Sequence, residues 1–237
     1  MRTRRLTSAI SIATLAVVSL ACEGRTVPGY LTTGPSSGAR VRLINALTAS
    51  TAIDFVVDGQ VAATNVAFGA ASQYVSMELA SHQLQARSSA TGTSLVDFTR
   101  NLTTEGAFSL VPAPGLGQSG ALFLTDNPTP VAGQAKIRVV HVAAVPGAVS
   151  VYLTAPNGDI TAATPTVSTL PFGTASDYVQ VAPGTYRVRV TRAASPTEIV
   201  VDVGSVILGA GSVRTLLVTD SPNGGPPTIL SVLPDAG

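Results

Sequence analysis

From residue 39 onward the chain breaks into short runs in which apolar and polar residues alternate, each closed by Gly, Pro, Asn or Asp. A period of two marks a strand with one face turned inward and the other outward. The first half offers "RVRLI", "AIDFVVDG", "SQYVSM", "HQLQARS", "SLVDFTR", "AFSLV" and "ALFLT"; the second offers "KIRVVHV", "AVSVYL", "SDYVQV", "GTYRVRVT", "EIVVDVG" and "VRTLLVT". The clearest is "TYRVRVT", which sets Tyr186, Val188 and Val190 on one face and Arg187 and Arg189 on the other. The dipeptides "DG" at 58–59 and "NG" at 157–158 read as hairpin turns. About seven strands per hundred residues, with turn signals every 8–12, predict an immunoglobulin-like β-sandwich.

The pattern occurs twice. "RVRLINA" (40–46) matches "KIRVVHV" (136–142), "AFGAASQYVSM" (67–77) matches "PFGTASDYVQV" (171–181), and "LFLTDNP" (122–128) matches "LLVTDSP" (216–222). The offsets are 96, 104 and 94 residues, so the second copy carries an insertion, placed around 154–170. The expected architecture is all-β: two tandem immunoglobulin-like β-sandwich domains, over 39–130 and 135–237. The tail "TILSVLP" (228–234) is either a closing strand beside the first strand of the second domain or the start of a further register.

Ahead of the domains the pattern changes. "MRTRR" is followed by the apolar "LTSAISIATLAVVSL" and then "SLAC" at 19–22, the order of a secretory signal over 1–21. A spanning helix needs roughly 20 unbroken apolar residues, more than this segment has. Ser19 and Ala21 satisfy a small-x-small cleavage rule. Cys22, directly after Ala21, also fits a lipobox in which the cysteine is acylated, although Leu20 stands one place late for that motif. Cys22 is the only cysteine. It has no partner for an internal disulfide, and lipid attachment explains an odd thiol in an exported chain. Residues 22–38, rich in Pro, Gly, Ser and Thr, read as a flexible tether. The expected location is the cell envelope, with the membrane reached through the N-terminal lipid.

Composition narrows the function classes. Only 11% of residues are charged and the mean hydropathy is +0.38, far from the signature of disorder. Without Arg2, Arg4 and Arg5 the exported chain has 11 basic and 13 acidic residues, too little basic surface for a nucleic-acid partner.

The three blocks, behind a lipoprotein-like signal, resemble the bacterial domain of unknown function DUF4397. Members often read "VRVVHASPDAPAVDVYVDG", then F-G-x-A-S-x-Y, then P-A-G-T-Y-x-V-x-V. "IRVVHVAAVPGAVSVYL" and "PFGTASDYVQVAPGTYRVRV" match in the second copy; the first matches through "AIDFVVDG" and "AFGAASQYVSM" but lacks the Pro-Gly turn at "LASHQLQAR". The resemblance implies a β-sandwich envelope module and brings no established activity. The family's histidine and the aspartate nine residues later are split between the copies: His141 stands with Ser150, and Asn45 with Asp54. Neither copy holds both, which argues against a catalytic or metal dyad.

Other chemistry is sparse. His82 is the second of two histidines, and with Cys22 committed to lipid no nitrogen–sulfur zinc set remains. No G-x-S-x-G elbow is present. "GLGQSG" (115–120) precedes a strand rather than opening a helix, so it reads as a loop and not a phosphate cradle. Asp126 and Asp220, at matching places in the third block, are expected to cap the turn before a proline. In the F-G-x-A-S-x-Y block, Gly69 and Gly173 are expected at bends. Phe68, Phe172, Tyr74 and Tyr178 are among the few aromatics of each copy, and the tyrosine rings are expected inside with their hydroxyls tied to backbone. The reading is a non-catalytic module without cofactor or metal, contacting an envelope protein. A glycan or small-molecule binding module is the alternative.

Overall fold

The computed structural model describes residues 38–222 and 228–235. The expected signal over 1–21, Cys22 and nearly all of the expected tether lie outside these residues. Repeat 1 contains β1 (Ala39–Leu43), β2 (Ala52–Val57), β3 (Gln60–Ala67), β4 (Val75–Met77), β5 (Ser81–Ser88), β6 (Ser94–Asn101), β7 (Gly106–Pro112) and β8 (Ala121–Asp126). Repeat 2 contains β9 (Ala135–Val142), β10 (Val149–Thr154), β11 (Val167–Leu170), β12 (Thr174–Ala175), β13 (Val179–Val181), β14 (Gly184–Arg192), β15 (Ser195–Leu208), β16 (Val213–Asp220) and β17 (Thr228–Pro234). The fold is all-β, as the alternation predicts, and each repeat is a two-sheet sandwich.

In repeat 1 the outer sheet runs β3-β2-β5-β6 and the inner sheet β4-β1-β7-β8. In repeat 2 the outer sheet runs β11-β10-β14-β15 and the inner sheet β12-β9-β16-β17, with β13 also on β9. Both inner sheets carry one parallel pair, β1 with β7 and β9 with β16. All other strand pairs are antiparallel. One core, including Val41, Leu43, Phe55, Leu84 and Leu110, fills the first sandwich. Another, including Ile137, Val139, Val151, Val188 and Leu216, fills the second.

A third apolar cluster belongs to neither sandwich alone. Ile44, Ala46, Val111 and Ala113 of repeat 1 pack with Val140, Val142, Leu217 and Leu233 of repeat 2. These residues lie on the faces of the inner sheets that turn away from their own cores. The inner sheets therefore cover one another, and every residue of β9 is buried. Burial of both faces removes the solvent side that a polar alternation normally implies.

Three expectations are corrected by the pairings. Block three aligns the wrong strands: β7 is the counterpart of β16, because each is the parallel partner of its repeat's first strand, and β8 is the counterpart of β17. "TILSVLP" is a closing strand, but its neighbour is β16 rather than β9. "DG" at 58–59 is a two-residue hairpin, with φ of 49° and 79°, whereas "NG" at 157–158 lies within the long β10–β11 connection. That connection, 155–166, is the insertion anticipated from the offsets.

Candidate functional site: a buried ionic junction between the repeats

Arg42 sits mid-way along β1, with Val41 and Leu43 beside it pointing into the first core. Its own side chain points the other way, toward repeat 2. Arg138 holds the same place on β9. The parallel pairing puts Ser109 of β7 opposite Arg42 and Thr215 of β16 opposite Arg138. Asp126 ends β8, and Asp235 follows β17. Each repeat thus delivers one guanidinium, one hydroxyl and one carboxylate to the junction. The four charged side chains are at most 2% exposed.

The two shortest ion pairs of the junction cross between repeats, while Arg42 Nε lies 3.5 Å from Asp126 Oδ2 and Arg138 Nε 3.9 Å from Asp235 Oδ2 within a repeat. Arg42 Nη2 donates to Asp235 Oδ1 at 2.7 Å, and its Nη1 to the Pro234 carbonyl at 2.6 Å. Arg138 Nη2 approaches Asp126 Oδ1 at 2.6 Å, and its Nη1 donates to the Thr125 carbonyl at 3.2 Å. The hydroxyls complete the network. Ser109 Oγ accepts from Arg42 Nε at 2.9 Å and donates to Asp126 at 2.6 Å. Thr215 Oγ1 accepts from Arg138 Nε at 2.9 Å and donates to Asp235 at 2.7 Å. Two cations and two anions leave no net charge, the condition under which ionised groups tolerate burial.

The repeated F-G-x-A-S-x-Y block builds the rim of this junction. Tyr74 donates to Asp126 Oδ2 at 2.5 Å and Tyr178 to Asp235 Oδ2 at 2.6 Å. Their hydroxyls therefore meet carboxylates, not the backbone carbonyls anticipated from sequence. The Arg42 guanidinium lies 4.9 Å from the Tyr74 ring centre and Arg138 lies 5.1 Å from that of Tyr178. Ser72 Oγ accepts from the Leu43 amide and Ser176 Oγ from the Val139 amide, both at 2.9 Å, which holds each block to its first strand. Ala71 and Ala175 pack in the shared apolar cluster. Gly69 and Gly173 both have φ of +72°, and a side chain at Gly69 would run into Ser231 of the other repeat. Glycine is required here by conformation and by close approach together.

Burial and neighbouring charge set the protonation states. Burial pushes both tyrosine hydroxyls far above their usual range, which keeps them protonated donors. Burial alone would lower Arg42, but Asp235 and Asp126 outweigh it and hold the guanidinium above its ordinary value. The two tyrosines thus stay donors to the carboxylates, and Asp126 Oδ1, which has no hydrogen-bond partner, is held by its ion pair with Arg138.

The remaining candidates lie apart from the junction. His141 donates from Nε2 to the Gly147 carbonyl at 2.6 Å, while its buried Nδ1 has no hydrogen-bond partner. Ser150, on β10 of the outer sheet, accepts from the Thr169 amide of the neighbouring β11. Asn45 bridges the Val66 carbonyl and the Leu47 amide, and Asp54 accepts from the Asn65 amide and Ser89. His82 sits between Asp58 Oδ2 at 2.7 Å and the Glu78 carbonyl at 3.0 Å, anchoring the "DG" turn. Asp220 caps the amides of Ala144 and Val145 rather than its own turn, and Asp126 is in the junction, so the two are not equivalent. Residues 115–120 form a loop with one 3-10 turn, Gly117–Ser119, leading into β8. Among the described residues no group of three or more His, Cys, Asp or Glu is arranged to hold a metal ion, and no helix is long and apolar enough to cross a membrane. A depression of about 460 Å³ beside Pro146, Thr169 and Arg192 is open, and the Arg192 guanidinium is already engaged by Glu198 and the Pro146 carbonyl.

Sequence reasoning missed Arg42, Arg138, Ser109, Thr215 and Asp235. The available signal was an arginine at the same strand position in both copies, 96 residues apart.

A family model described as "Domain of unknown function (DUF4397)" matches residues 39–152 and 153–235. The chain belongs to the DUF4397 family. The two adjacent matches fit two tandem DUF4397 copies, although the division at 152 falls within β10, whereas the sheets part between β8 and β9. No curated protein matches the chain. One solved structure similar to it is CBMbc, family CBM26, from Eubacterium rectale Amy13K, in complex with maltoheptaose. The identity is 11%, the match covers 83% of this chain and 98% of that chain, and the TM-score is 0.29. At that TM-score the likeness carries no argument about what the DUF4397 repeats bind.

Proposed function

We propose that this DUF4397 protein is a non-catalytic module of the cell envelope, held to the membrane by lipid on Cys22, whose two repeats form one stiff body for contact with another envelope protein. The observation that carries this reading is the junction. Arg42, Arg138, Asp126 and Asp235 with their hydroxyl partners, groups of the kind that would do chemistry in an enzyme, are sealed between the repeats and paired with one another. Groups this buried have no access to substrate. What the arrangement does supply is a fixed relation between two sandwiches, which suits a spacer or presenting role in which sheet edges and end loops make the contacts.

Crosslinking in cells, followed by recovery of the full-length chain beside its Cys22→Ser form, tests the reading. A stoichiometric protein partner that disappears with Cys22→Ser is the expected result. Recovery of the bait alone from both would overturn the interaction role.

A further inference from the structure

We infer that the junction face is an assembly surface for a second copy of this chain, so that two chains pair by exchanging repeats, repeat 1 of each docked on repeat 2 of the other. The inference goes beyond the proposed envelope role and does not depend on the lipid anchor.

The first ground is self-complementarity. Each repeat brings arginine, hydroxyl, tyrosine and aspartate to matching strand positions, and each arginine makes its shortest ion pair with the carboxylate of the opposite repeat. The apolar positions correspond too: Ile44 with Val140, Ala46 with Val142, Val111 with Leu217. Contact between like faces with reciprocal pairs is the isologous arrangement that closes symmetric dimers. Here both halves of such a dimer are carried on one chain.

The second ground is the connection. Residues 127–134, "NPTPVAGQ", have no buried member. Two hydrogen bonds tie them to the fold: the Gln134 carbonyl accepts from the Gly211 amide at 2.7 Å, and the Thr129 carbonyl accepts from the Lys136 ammonium at 2.7 Å. The junction itself does not distinguish a chain's own repeat from a neighbour's; only tethering does. A short tether supplies an effective concentration of about millimolar, so closure within one chain leads in dilute solution and exchange grows as chains are concentrated or refolded together. Exchange is favoured wherever closure within one chain is impaired.

Complementing variants read this directly. Full-length chains carrying Cys22→Ser are made with either Arg42→Ala or Asp235→Ala, unfolded, mixed and refolded together. Each variant alone has a damaged junction. An exchanged pair contains one undamaged junction, formed by repeat 1 of the Asp235→Ala chain and repeat 2 of the Arg42→Ala chain. The expected result is a 1:1 heterodimer, enriched about tenfold or more over dimer in either variant refolded alone. Only monomers in the mixture, with each variant folded, would overturn the inference.

A second measurement keeps the four charged side chains in place, at the cost of a side chain at φ +72° and against Ser231, where glycine is favoured. A Cβ built at Gly69 lies 3.7 Å from the Ser231 Cβ, inside the usual span of a disulfide. In the Cys22→Ser background, one chain carries Gly69→Cys, another Ser231→Cys, and a control carries both. Disulfide-linked dimers on co-refolding the single variants support exchange. Closure of the control within one chain, with no crosslink between the single variants, counts against it.

Discussion

Repeat 1 joins β2 to β3 through the two residues Asp58 and Gly59, whereas repeat 2 joins β10 to β11 through 155–166, which folds back over the outer sheet. Beneath this loop lie Tyr152, only 4% exposed, and Arg189, whose Nη2 donates to Thr154 Oγ1 and to the Gly158 carbonyl. Ile160 of the loop is itself buried. In repeat 1 the corresponding places hold the smaller Val56 and Gln85, and Gln85 is tied to Asp97 and Arg87 within its own sheet. The polar positions of the junction show no such divergence, with the arginine, hydroxyl, tyrosine and aspartate present in both inner sheets. Positions that must fit the other repeat are matched; positions that face away have drifted in size, charge and cover. The outer faces are therefore where the two repeats differ in what they present, and the junction is what holds them together.

Breaking the matched part has the largest expected effect. Arg42→Ala leaves Asp235 buried without its cross-repeat partner, and Arg138→Ala does the same to Asp126. Removing one member of a buried pair costs about 3–5 kcal/mol, so each variant should unfold at markedly lower denaturant concentration than the parent. Near-equal losses for the two variants would support the pseudo-symmetry. A loss confined to one would show that the junction rests on a single pair. Replacing the cover in repeat 2 comes next. Substituting 155–166 with Asp-Gly, the turn of repeat 1, exposes Tyr152 and Arg189 and removes Ile160. Burial of one large apolar side chain is worth about 1.5–3 kcal/mol, so a loss of roughly that size is expected in chemical denaturation. No loss would mean that the loop lies on the sheet without supporting it.

The sandwiches were legible because one face of each strand packs on a conventional core, and such faces announce themselves by alternation. Val41 and Leu43, or Val188 and Val190, could be assigned inward from letters alone. Arg42 and Arg138 could not, since a charge between inward apolar residues reads as a solvent face unless something covers it. The cover is the other repeat, far away in sequence. The third block misled for a different reason. "TDNP" after β8 and "TDSP" after β16 look alike, but only strand pairing reveals that β16 corresponds to β7. The equivalence of Asp126 with Asp235 followed from register and from the matched tyrosine contacts, not from sequence similarity.

The smallest effect sharpens one remaining difference, Asn45 against His141 at the end of the first strand in each repeat. Asn45 satisfies both ends of its amide, while His141 uses Nε2 and leaves a buried Nδ1 unpaired. Burial pushes the His141 imidazole below its usual value, and the Gly147 carbonyl and Asp220 only partly offset this. A folded-state value below the unfolded one means that the unfolded chain binds the proton first. Stability contributed by neutral His141 is then fully present above the unfolded value, near 6.5, and is lost as pH falls through that value toward the lower folded one. The slope from this single group is at most about 1.4 kcal/mol per pH unit. His141→Asn, which gives repeat 2 the residue of repeat 1, should flatten the loss of stability between neutral and mildly acidic pH, measured as the denaturation midpoint at a series of pH values. An unchanged slope would assign the acid sensitivity to other groups and leave His141 a neutral packing residue throughout the range.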